Sequence, residues 1–379
     1  MIEMELFFWC LLAGACYSYF LYPAVLLLIP KRKKDEPYHE SEFPRLTLII
    51  TAHNEENRIR EKILNTLTLD YPRESLEIIV ASDASTDATE DIVAEFRSQG
   101  VQLVRADERK GKEYAQLQAI RAAKGEILVF SDVATGIDKG ALKLIAERFS
   151  DKKIGAISSE DRFISEDGSI AGEGAYVKYE MWLRKLESEV YSLVGLSGSF
   201  FAARRCICKE WDISIPSDFN TALNCARQGY IAVTDQNVIG YYKDIKNKKG
   251  EYARKLRTVI RGISAVMSKP DVLNPFRYGF FAFEVWSHKI MRWMVPWFLL
   301  ALLVSSILLA PVHPVYAVIL ILQVLFYSLV FVGAVIPALR HVPMIKVPFY
   351  FIEVNAAIAH ATIAYGLGKR VTVWTPTKR

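Results

Sequence analysis

The chain has 379 residues, enough for one large domain or two, and 51% of them are hydrophobic. This share and the mean hydropathy of +0.15 lie above the usual range of soluble proteins, so we expect a membrane component. The net charge of +5 is small for this length, and the basic residues cluster beside apolar segments, which favours contact with membrane lipids over binding of nucleic acid.

The first predicted element is a transmembrane helix within residues 1–30. Residues 7–30 are almost free of charge, and at about 1.5 Å per residue they are long enough to cross a bilayer core of about 30 Å. The next four residues, 31–34, are all basic, which predicts that the following chain is cytosolic and that the acidic N-terminus lies outside. Because the basic residues follow the apolar core, we do not interpret the segment as a cleaved signal peptide.

Three short apolar runs follow, and each ends in a polar loop. They read LTLIITAHNEE (46–56), LEIIVASDASTD (76–87) and GEILVFSDVAT (125–135). Each is too short for an ordinary helix and rich in Ile, Val and Leu, so we predict buried parallel strands. Sheets of this kind bind ligands at the carboxyl ends of the strands. The ligand predicted there is a metal-bridged nucleotide or a nucleotide-sugar, because these ends carry Glu55, Glu56, Asp83, Asp87 and Asp132.

These loops also have structural explanations. The polar residues of HNEE would cap a helix as well as bind a base or ribose, and Ser85 or Thr86 is a candidate cap for a helix near Asp87. The basic turn RKGK (109–112) can approach a diphosphate, but such clusters are often solvated turns. Asp132 ends a wholly apolar strand, where a divalent ion would bridge its carboxylate to phosphate oxygens.

Residues 44–269 have the composition of a soluble domain in which strands and helices alternate, and the chain changes character after them. Residues 276–293 mix aromatic and basic side chains, as an amphipathic helix at a membrane interface does. Residues 295–337 contain two predicted transmembrane helices joined by a short turn.

The last apolar stretch lies within residues 347–379 and is interrupted by Glu353, Asn355 and His360. Polar residues are costly in the core of a bilayer, so they argue against a transmembrane position for this helix. We therefore predict a re-entrant or interfacial helix, followed by a basic tail. A fourth transmembrane helix is the alternative.

Taken in order, HNEE, SDASTD, KGK and GEILVFSD resemble the family 2 glycosyltransferases. The resemblance continues through GEGAYVKYEMWLRKLES (172–188) and GLSGSFFAARR (195–205) to SHKIMRWMVP (287–296) and the terminal WTPTKR. It covers nearly the whole chain, and the combination is specific although each motif alone is weak. It implies an α/β GT-A fold, the Rossmann-like domain of nucleotide-diphospho-sugar transferases, joined here to α-helical transmembrane segments.

Members of this family transfer a sugar, with inversion, from a nucleoside diphosphate to a hydroxyl acceptor. The resemblance implies that Ala52, Glu55 and Asp83 contact the nucleoside and that Lys112 lies near the diphosphate. It makes Asp132 the first acid of a D-x-D metal motif, with Mg²⁺ or Mn²⁺ as the cofactor. The second acid is replaced by Ala134, so the metal would be held mainly by phosphates and water.

The acceptor hydroxyl must lose its proton as it attacks the anomeric carbon, which requires a base. The segment IPSDFNTALNCARQGY (215–230) places Asp218 before a predicted helix that ends at Gly229. It matches the family's acidic acceptor motif, so the resemblance implies Asp218 as the catalytic base. A helix cap formed by Ser217 or Asp218 is the structural alternative.

Arg254, Arg257 and Arg261 recur at the spacing i, i+3 and i+7, so they share one face of a predicted helix. Because guanidinium groups bind phosphate bidentately, this arginine face is a candidate clamp for the donor diphosphate or for a lipid phosphate. A solvated helix face is the alternative. Glu180 and Arg184 are candidates for the acceptor region.

The leading hypothesis is inverting transfer from a nucleotide-sugar donor, with UDP-sugars favoured, to a lipid-linked or glycan acceptor at the membrane, in polysaccharide or glycolipid synthesis. We expect a multi-pass protein of the cell (inner) membrane with a cytosolic catalytic domain. A processive polysaccharide synthase is the alternative, although the Q-x-x-R-W motif of such enzymes reads EYARK (251–255) here and lacks the aromatic residue. A membrane scaffold with a degenerate transferase domain is a further alternative, supported by the missing second acid.

Overall fold

A computed structural model describes residues 2–33, 43–164, 175–243 and 251–371. The terminal WTPTKR and the first residues of the segment 172–188 lie outside these ranges. The chain divides into two compact units. The first comprises Met1–Leu28, Lys248–Ile263 and Val285–Arg370, and the second comprises Ile29–Asn247, Ser264–Glu284 and Val371–Arg379.

The second unit contains a sheet that has eight strands within the described ranges. In chain order they are β1 (Leu46–Ala52), β2 (Leu76–Ser82), β3 (Val101–Arg105), β4 (Ile127–Asp132), β5 (Thr135–Ile137), β6 (Ile154–Ile164), β7 (Phe200–Arg204) and β8 (Ile231–Lys243). Their order across the sheet is β3-β2-β1-β4-β7-β6-β8-β5. The first four are mutually parallel, and β7 runs antiparallel to both of its neighbours. The three predicted parallel strands are confirmed, and β1 lies between the other two.

The helices are also numbered along the chain. They are α1 (Ile2–Cys16), α2 (Tyr22–Leu28), α3 (Ile59–Leu67), α4 (Thr89–Ala94), α5 (Lys112–Ala122), α6 (Ala141–Arg148), α7 (Ala175–Val190), α8 (Ser217–Arg227), α9 (Glu251–Ser268), α10 (Pro275–Val285), α11 (Met291–Leu309), α12 (Pro314–Val335) and α13 (Pro343–Gly366). Helices thus alternate with the strands of the second unit, as the predicted α/β class requires.

Each face of the sheet has its own apolar core, because successive side chains of a strand point to opposite faces. On one face Ile50 belongs to a core that includes Ile63 of α3. On the other face Ile49 and Phe130 belong to a core that includes Ala119 of α5. Helices α3 and α5 therefore reach the end of β4 from opposite faces of the sheet.

Four helical stretches among the described residues are long and apolar enough to cross a membrane: Ile2–Leu28, Pro275–Leu309, Pro314–Val335 and Pro343–Gly366. They include the predicted spans within residues 1–30 and 295–337. The predicted interfacial helix (276–293) falls in the first half of the second stretch, where the backbone of Gly279 has a φ of 52°. The last stretch is a candidate span by length and composition, and its placement relative to the membrane stays a prediction.

Candidate active site

The loops that follow β1 and β2 are joined by hydrogen bonds. The Asp83 amide donates to the Ala52 carbonyl at 2.9 Å, and the Thr86 amide donates to Asn54 Oδ1 at 2.8 Å. Asn54 has a φ of 52°, a left-handed conformation that asparagine adopts more readily than most residues. The two loops, which the resemblance assigns to the nucleoside, therefore form one connected rim at the edge of the sheet.

Glu55 supports this rim from inside. It is 6% exposed, and its Oε2 accepts a hydrogen bond of 2.8 Å from Arg58 Nε. Its amide donates to Thr89 Oγ1 at 2.7 Å. These bonds hold the loop in place, and contact between Glu55 and a nucleoside stays a prediction.

The N-cap position of α4 is Ala88, which makes no capping side-chain bond. The Thr89 amide donates to Asp87 Oδ1 at 3.0 Å, so Asp87 satisfies an amide that the helix start leaves without an intrahelical partner. The hydroxyls of Ser85 and Thr86 bond instead to Asn54 in the neighbouring loop. The expectation that Ser85 or Thr86 caps this helix was wrong, because both side chains are used to join the two loops.

The carboxylate of Asp83 holds the next loop along the chain. Asp83 is 3% exposed, and its Oδ1 accepts hydrogen bonds from the amides of Lys110 at 3.1 Å and Gly111 at 3.0 Å. Gly111 has a φ of 101°, which side chains rarely tolerate, and α5 begins at the next residue. Asp83 thereby fixes the start of the helix that carries Lys112.

Lys112 lies in direct contact with Asp132. Its Nζ is 2.5 Å from Asp132 Oδ1 and 2.6 Å from the Gly198 carbonyl oxygen. The side chains of the pair are 10% and 27% exposed, in that order, so a short charge-assisted hydrogen bond is only partly screened by water. Lys112, which is predicted to lie near the diphosphate, therefore forms an ion pair with Asp132, which is predicted to bind the metal, at the carboxyl end of β4.

A short loop, residues 197–199, completes this cluster, and we call it the SGS loop. The Asp132 amide donates to the Ser199 carbonyl at 2.9 Å. A Cβ atom on Gly198 would lie 3.2 Å from Asp218 Oδ2, so this glycine lets the carboxylate come close to the backbone. Lys112, Asp132 and Asp218 are thus gathered around one loop.

Asp218 is the second residue of α8 and is partly exposed. The N-cap position of that helix is Pro216, and it makes no capping side-chain bond. The alternative in which Ser217 or Asp218 occupies the cap is therefore not supported. The helix ends at Arg227, close to the predicted end, and Gly229 follows with a φ of 77°.

A polar cluster lies behind the SGS loop. Asp161 Oδ1 accepts hydrogen bonds from Ser197 Oγ at 2.7 Å and from Ser159 Oγ at 3.0 Å. The Tyr242 hydroxyl lies 2.5 Å from Ser199 Oγ and 3.3 Å from Asp161 Oδ1. Burial raises the pKa of Asp161, while the charge of Arg184 and the hydroxyl bonds oppose this shift. The carboxylate is therefore bound by neutral donors with one cation nearby.

Arg184 supports the same loop from α7. Its Nη2 donates to Ser158 Oγ at 2.5 Å, and the Ser197 amide donates to that oxygen at 2.8 Å. Glu180, the other acceptor candidate, is partly buried on the same helix. Contact of either residue with an acceptor stays a prediction.

The arginine face lies on the first turns of α9. Arg254 is exposed and Arg261 is buried, with Arg257 between these extremes. Burial, followed by the charges of Arg261 and Arg254, lowers the pKa of Arg257. The like charges are thus close enough to affect one another, as their spacing predicts. These arginines belong to the first unit, and their contact with a donor stays a prediction.

The metal site would depend on few protein oxygens. Among the described residues, no group of three or more His, Cys, Asp or Glu side chains is placed to hold a metal ion. Magnesium usually binds through one or two carboxylates, with phosphates and water completing its shell. A single partly exposed carboxylate at Asp132 fits a metal that binds together with a diphosphate, and it does not fit a resident metal held by the protein alone.

Sequence reasoning missed several members of this site. The SGS loop lies within the resembling segment GLSGSFFAARR, but its small residues carry no charge that marks them. Asp161 and Tyr242 are distant in sequence from every motif. Lys62 of α3, which lies below the end of β4, had a usable signal: it falls at i+3 from Ile59 on the apolar face of that helix.

Comparisons with known proteins bear on the family and the fold of this chain. Residues 47–211 match the model of the family described as glycosyl transferase family 2. The chain is 28% identical over 184 residues to a probable glycosyltransferase, YdaM, of Bacillus subtilis, covering 45% of this chain and 44% of that protein. It is 25% identical over 211 residues to a poly-beta-1,6-N-acetyl-D-glucosamine synthase of Staphylococcus epidermidis, covering 53% and 49%. The chain thus spans about half the length of these two relatives.

A third relative is similar over most of its length. It is a dolichyl N-acetyl-alpha-D-glucosaminyl phosphate 3-beta-D-2,3-diacetamido-2,3-dideoxy-beta-D-glucuronosyltransferase of Methanococcus voltae, 24% identical over 319 residues, with 76% of this chain and 95% of that protein covered. Among solved structures, a mannosyltransferase of Pyrobaculum calidifontis in complex with GDP-Man and Mn²⁺ has a TM-score of 0.72 at 23% identity, covering 97% of this chain and 100% of that one.

The mixed sheet and the family match over residues 47–211 define the second unit as a domain of the GT-A type, the fold of nucleotide-sugar transferases. The chain carries a glycosyl transferase family 2 domain over residues 47–211. The predicted family and fold class are therefore confirmed, and the candidate membrane helices fit the predicted membrane-bound character.

Proposed function

We propose that this protein transfers a sugar, with inversion, from a nucleoside diphosphate to a hydroxyl of an acceptor presented at the membrane. One observation supports this most strongly: Lys112, Asp132 and Asp218 meet around the SGS loop, at the edge where the parallel strands end. That edge carries a cation, a metal-competent carboxylate and a second carboxylate that no helix cap requires. These groups suit sugar transfer from a diphosphate, in which the leaving group is stabilised by positive charge and the acceptor hydroxyl loses a proton to a base.

Asp218 is the proposed base. As the acceptor oxygen bonds to the anomeric carbon, its proton passes to Asp218 and the bond from that carbon to the diphosphate breaks. Attack from the side opposite the leaving group inverts the anomeric centre. Asp218 lies in the first turn of α8 and is partly exposed, so an acceptor hydroxyl can reach its carboxylate.

The leaving diphosphate needs positive charge as its bond breaks. Lys112 supplies one charge from the start of α5 once its ammonium group is shared with the diphosphate. A magnesium or manganese ion would be held by Asp132 together with the phosphates, and it would supply further positive charge there. The arginine face on α9 is a proposed additional phosphate contact.

The acceptor class is proposed from the membrane helices and the relatives. The Methanococcus voltae protein is named for a dolichyl-phosphate-linked sugar acceptor, and helices long enough to span a membrane would bring such an acceptor to the domain. We therefore propose a lipid-linked sugar as the acceptor, a UDP-sugar as the donor, and a position at the cytosolic face of the cell membrane.

Turnover of a panel of UDP- and GDP-sugars by the detergent-purified protein, with and without Mn²⁺, tests this proposal. We expect metal-stimulated turnover of at least one donor. Asp218→Asn should lower kcat by a factor of about 10² to 10⁴, the usual contribution of a general base. The matched control is Asp212→Asn, because Asp212 is an acidic residue just ahead of α8 whose carboxylate binds the Ser214 amide.

Absence of turnover with every donor, or equal activity of Asp218→Asn and Asp212→Asn, would contradict the proposal and favour a scaffold with a degenerate domain. The same assay separates single transfer from polymerisation when a short lipid-linked acceptor is added. A ladder of products would favour a processive synthase, the activity for which the Staphylococcus epidermidis relative is named.

A further inference from the structure

The SGS loop is bonded on two sides. On the side of the proposed reaction it contacts Lys112 through the Gly198 carbonyl and Asp132 through the Ser199 carbonyl. Gly198 also borders the carboxylate of Asp218. A shift of this loop would therefore change the distances among all three proposed functional groups at once.

On its other side the loop is held by Asp161 and Tyr242. Ser197 Oγ donates to the carboxylate of Asp161, at 2.7 Å from Oδ1 and 2.9 Å from Oδ2. The Tyr242 hydroxyl lies 2.5 Å from Ser199 Oγ and within 3.3 Å of Asp161 Oδ1. Tyr242 is 7% exposed, so its ring is held by packing while its hydroxyl reaches the loop.

The SGS loop depends on neighbouring residues for its conformation because its own side chains are small. Its side chains are two serine hydroxyls and a glycine hydrogen, and fixing its backbone in one arrangement costs conformational entropy. Hydrogen bonds to a partly buried carboxylate are stronger than those between neutral groups. Asp161 is therefore suited to hold serine hydroxyls in one arrangement.

We propose that Asp161 and Tyr242 are positioning residues for the transfer reaction: they fix the SGS loop so that Lys112, Asp132 and Asp218 keep a productive arrangement. This inference rests on the proposed function for its kinetic consequence, whereas its structural content concerns the loop alone. Neither residue touches the reacting atoms. Their effect passes through Ser197 and Ser199.

Two adjacent tyrosines provide a matched pair of variants. Tyr242→Phe removes only the hydroxyl that reaches the loop. Tyr241→Phe removes a hydroxyl that lies 3.4 Å from Asp138 Oδ2, away from the loop. We expect Tyr242→Phe to lower kcat about 10- to 100-fold, the effect of misplacing reacting groups by up to about 1 Å. Because the nucleoside rim is untouched while Lys112 and Asp132 shift with the loop, kcat should fall by a larger factor than the KM for the donor rises, and Tyr241→Phe should match the wild type.

A second measurement does not depend on activity. Hydrogen–deuterium exchange of peptides that contain the SGS loop, recorded without donor, should be about tenfold faster in Tyr242→Phe and unchanged in Tyr241→Phe. Asp161→Asn, which keeps the volume and removes the charge, should shift exchange in the same direction as Tyr242→Phe.

The two failures are distinguishable. If the wild type turns over a donor and both tyrosine variants have the same kcat, the positioning role is overturned while the proposed function stands. If the wild type turns over no donor, the proposed function fails. The positioning role is then tested by the hydrogen–deuterium exchange of the SGS loop alone. Equal exchange of the loop in both tyrosine variants would then overturn the inference, and faster exchange in Tyr242→Phe alone would support it.

Discussion

Lys62 is 3% exposed below the end of β4. Its Nζ lies 2.7 Å from Ser131 Oγ and 2.6 Å from the Thr135 carbonyl oxygen. Burial lowers the pKa of Lys62 to about 7, and the charge of Asp132 opposes this shift. An unfolded lysine has a pKa of about 10.4. Between these two values the unfolded chain binds more protons than the folded chain, so the free energy of unfolding rises with pH from about 7 to about 10.

Lys62→Met should remove this pH dependence. Methionine fills a similar volume and does not titrate, so we expect its thermal midpoint to change little between pH 7 and pH 9.5. The wild-type midpoint should rise over the same range. Over these 2.5 pH units the difference in the free energy of unfolding corresponds to at most about 3.5 kcal/mol, at about 1.4 kcal/mol per pH unit.

Scanning fluorimetry of metal-free protein at several pH values measures this slope. Lys143→Met is the control, because Lys143 is a lysine with a 43% exposed side chain paired with Asp70. It should keep the wild-type slope. A slope in Lys62→Met equal to that of the wild type would show that another group causes the dependence.

The sequence predicted the individual site residues that belong to recognisable motifs. It missed residues that hold other site residues in position. Lys112 and Asp132 follow from the resemblance, and the structure adds that they are paired with each other. Asp83 was assigned to the nucleoside, whereas its carboxylate also bonds the backbone at Lys110 and Gly111. Such bonds to backbone amides depend on how loops meet, which no local pattern encodes.

Helix α13 shows how polar residues are accommodated in an apolar element. Lys255 Nζ of α9 is 3.2 Å from Glu353 Oε2 and 4.3 Å from the centre of the Tyr350 ring. Asn355 Nδ2 donates to the Phe351 carbonyl at 2.8 Å, and His360 Nδ1 lies 3.3 Å from the Tyr252 hydroxyl. Each of the three polar residues therefore has at least one partner, but Asn355 Oδ1 is buried without a hydrogen bond, and the placement of this helix in the membrane stays a prediction.

The pair of Lys255 and Glu353 should contribute measurably to stability. We expect Lys255→Met and Glu353→Gln each to lower the thermal midpoint in detergent, because each leaves its partner without the opposite charge. The double variant should recover part of the loss. A coupling energy of about 0.5–1 kcal/mol is expected, since the side chain of Glu353 is 37% exposed and solvent screens the pair.

Lys346→Met controls for the loss of a positive charge at the start of α13, where Lys346 is exposed. Its midpoint should stay close to that of the wild type. Strictly additive losses in the double variant would show that Lys255 and Glu353 do not interact.

The strands and the long helices were predictable as elements because their periodicity and length are strong local signals. The three apolar runs became β1, β2 and β4, in the parallel arrangement expected. The SGS loop was not recognised as part of the site because it precedes a strand, whereas only loops that follow strands were expected to bind a ligand. The antiparallel pairing of β7 with β4 brings this loop to the carboxyl end of β4.

For the whole molecule, the sequence predicts that the sheet unit is cytosolic and that the turn between α11 and α12 lies outside the cell. Ser98 is exposed in the sheet unit, and Val312 lies in that turn. A membrane-impermeant maleimide should label Val312→Cys but not Ser98→Cys in intact cells. Both should be labelled after the membrane is permeabilised.

The test is performed with Cys10, Cys16 and Cys206 replaced by serine, while the buried Cys208 and Cys225 are kept. Labelling of Ser98→Cys in intact cells would overturn the predicted orientation. Leu367→Cys, just after α13, separates the two interpretations of that helix. Labelling from outside indicates a fourth span, and protection indicates an interfacial or re-entrant helix.

The antiparallel direction of β7 determines which loops can contribute residues to this site. In a sheet of parallel strands only, every segment that reaches the carboxyl edge is one that leaves a strand. Because β7 is antiparallel to β4, a segment that enters a strand reaches the same edge, and the Asp132 amide bonds directly to the Ser199 carbonyl. The pairing of β4 with β7 therefore keeps the two ends of the intervening chain side by side, so that this site combines residues that leave one strand with residues that enter another, far apart in the sequence.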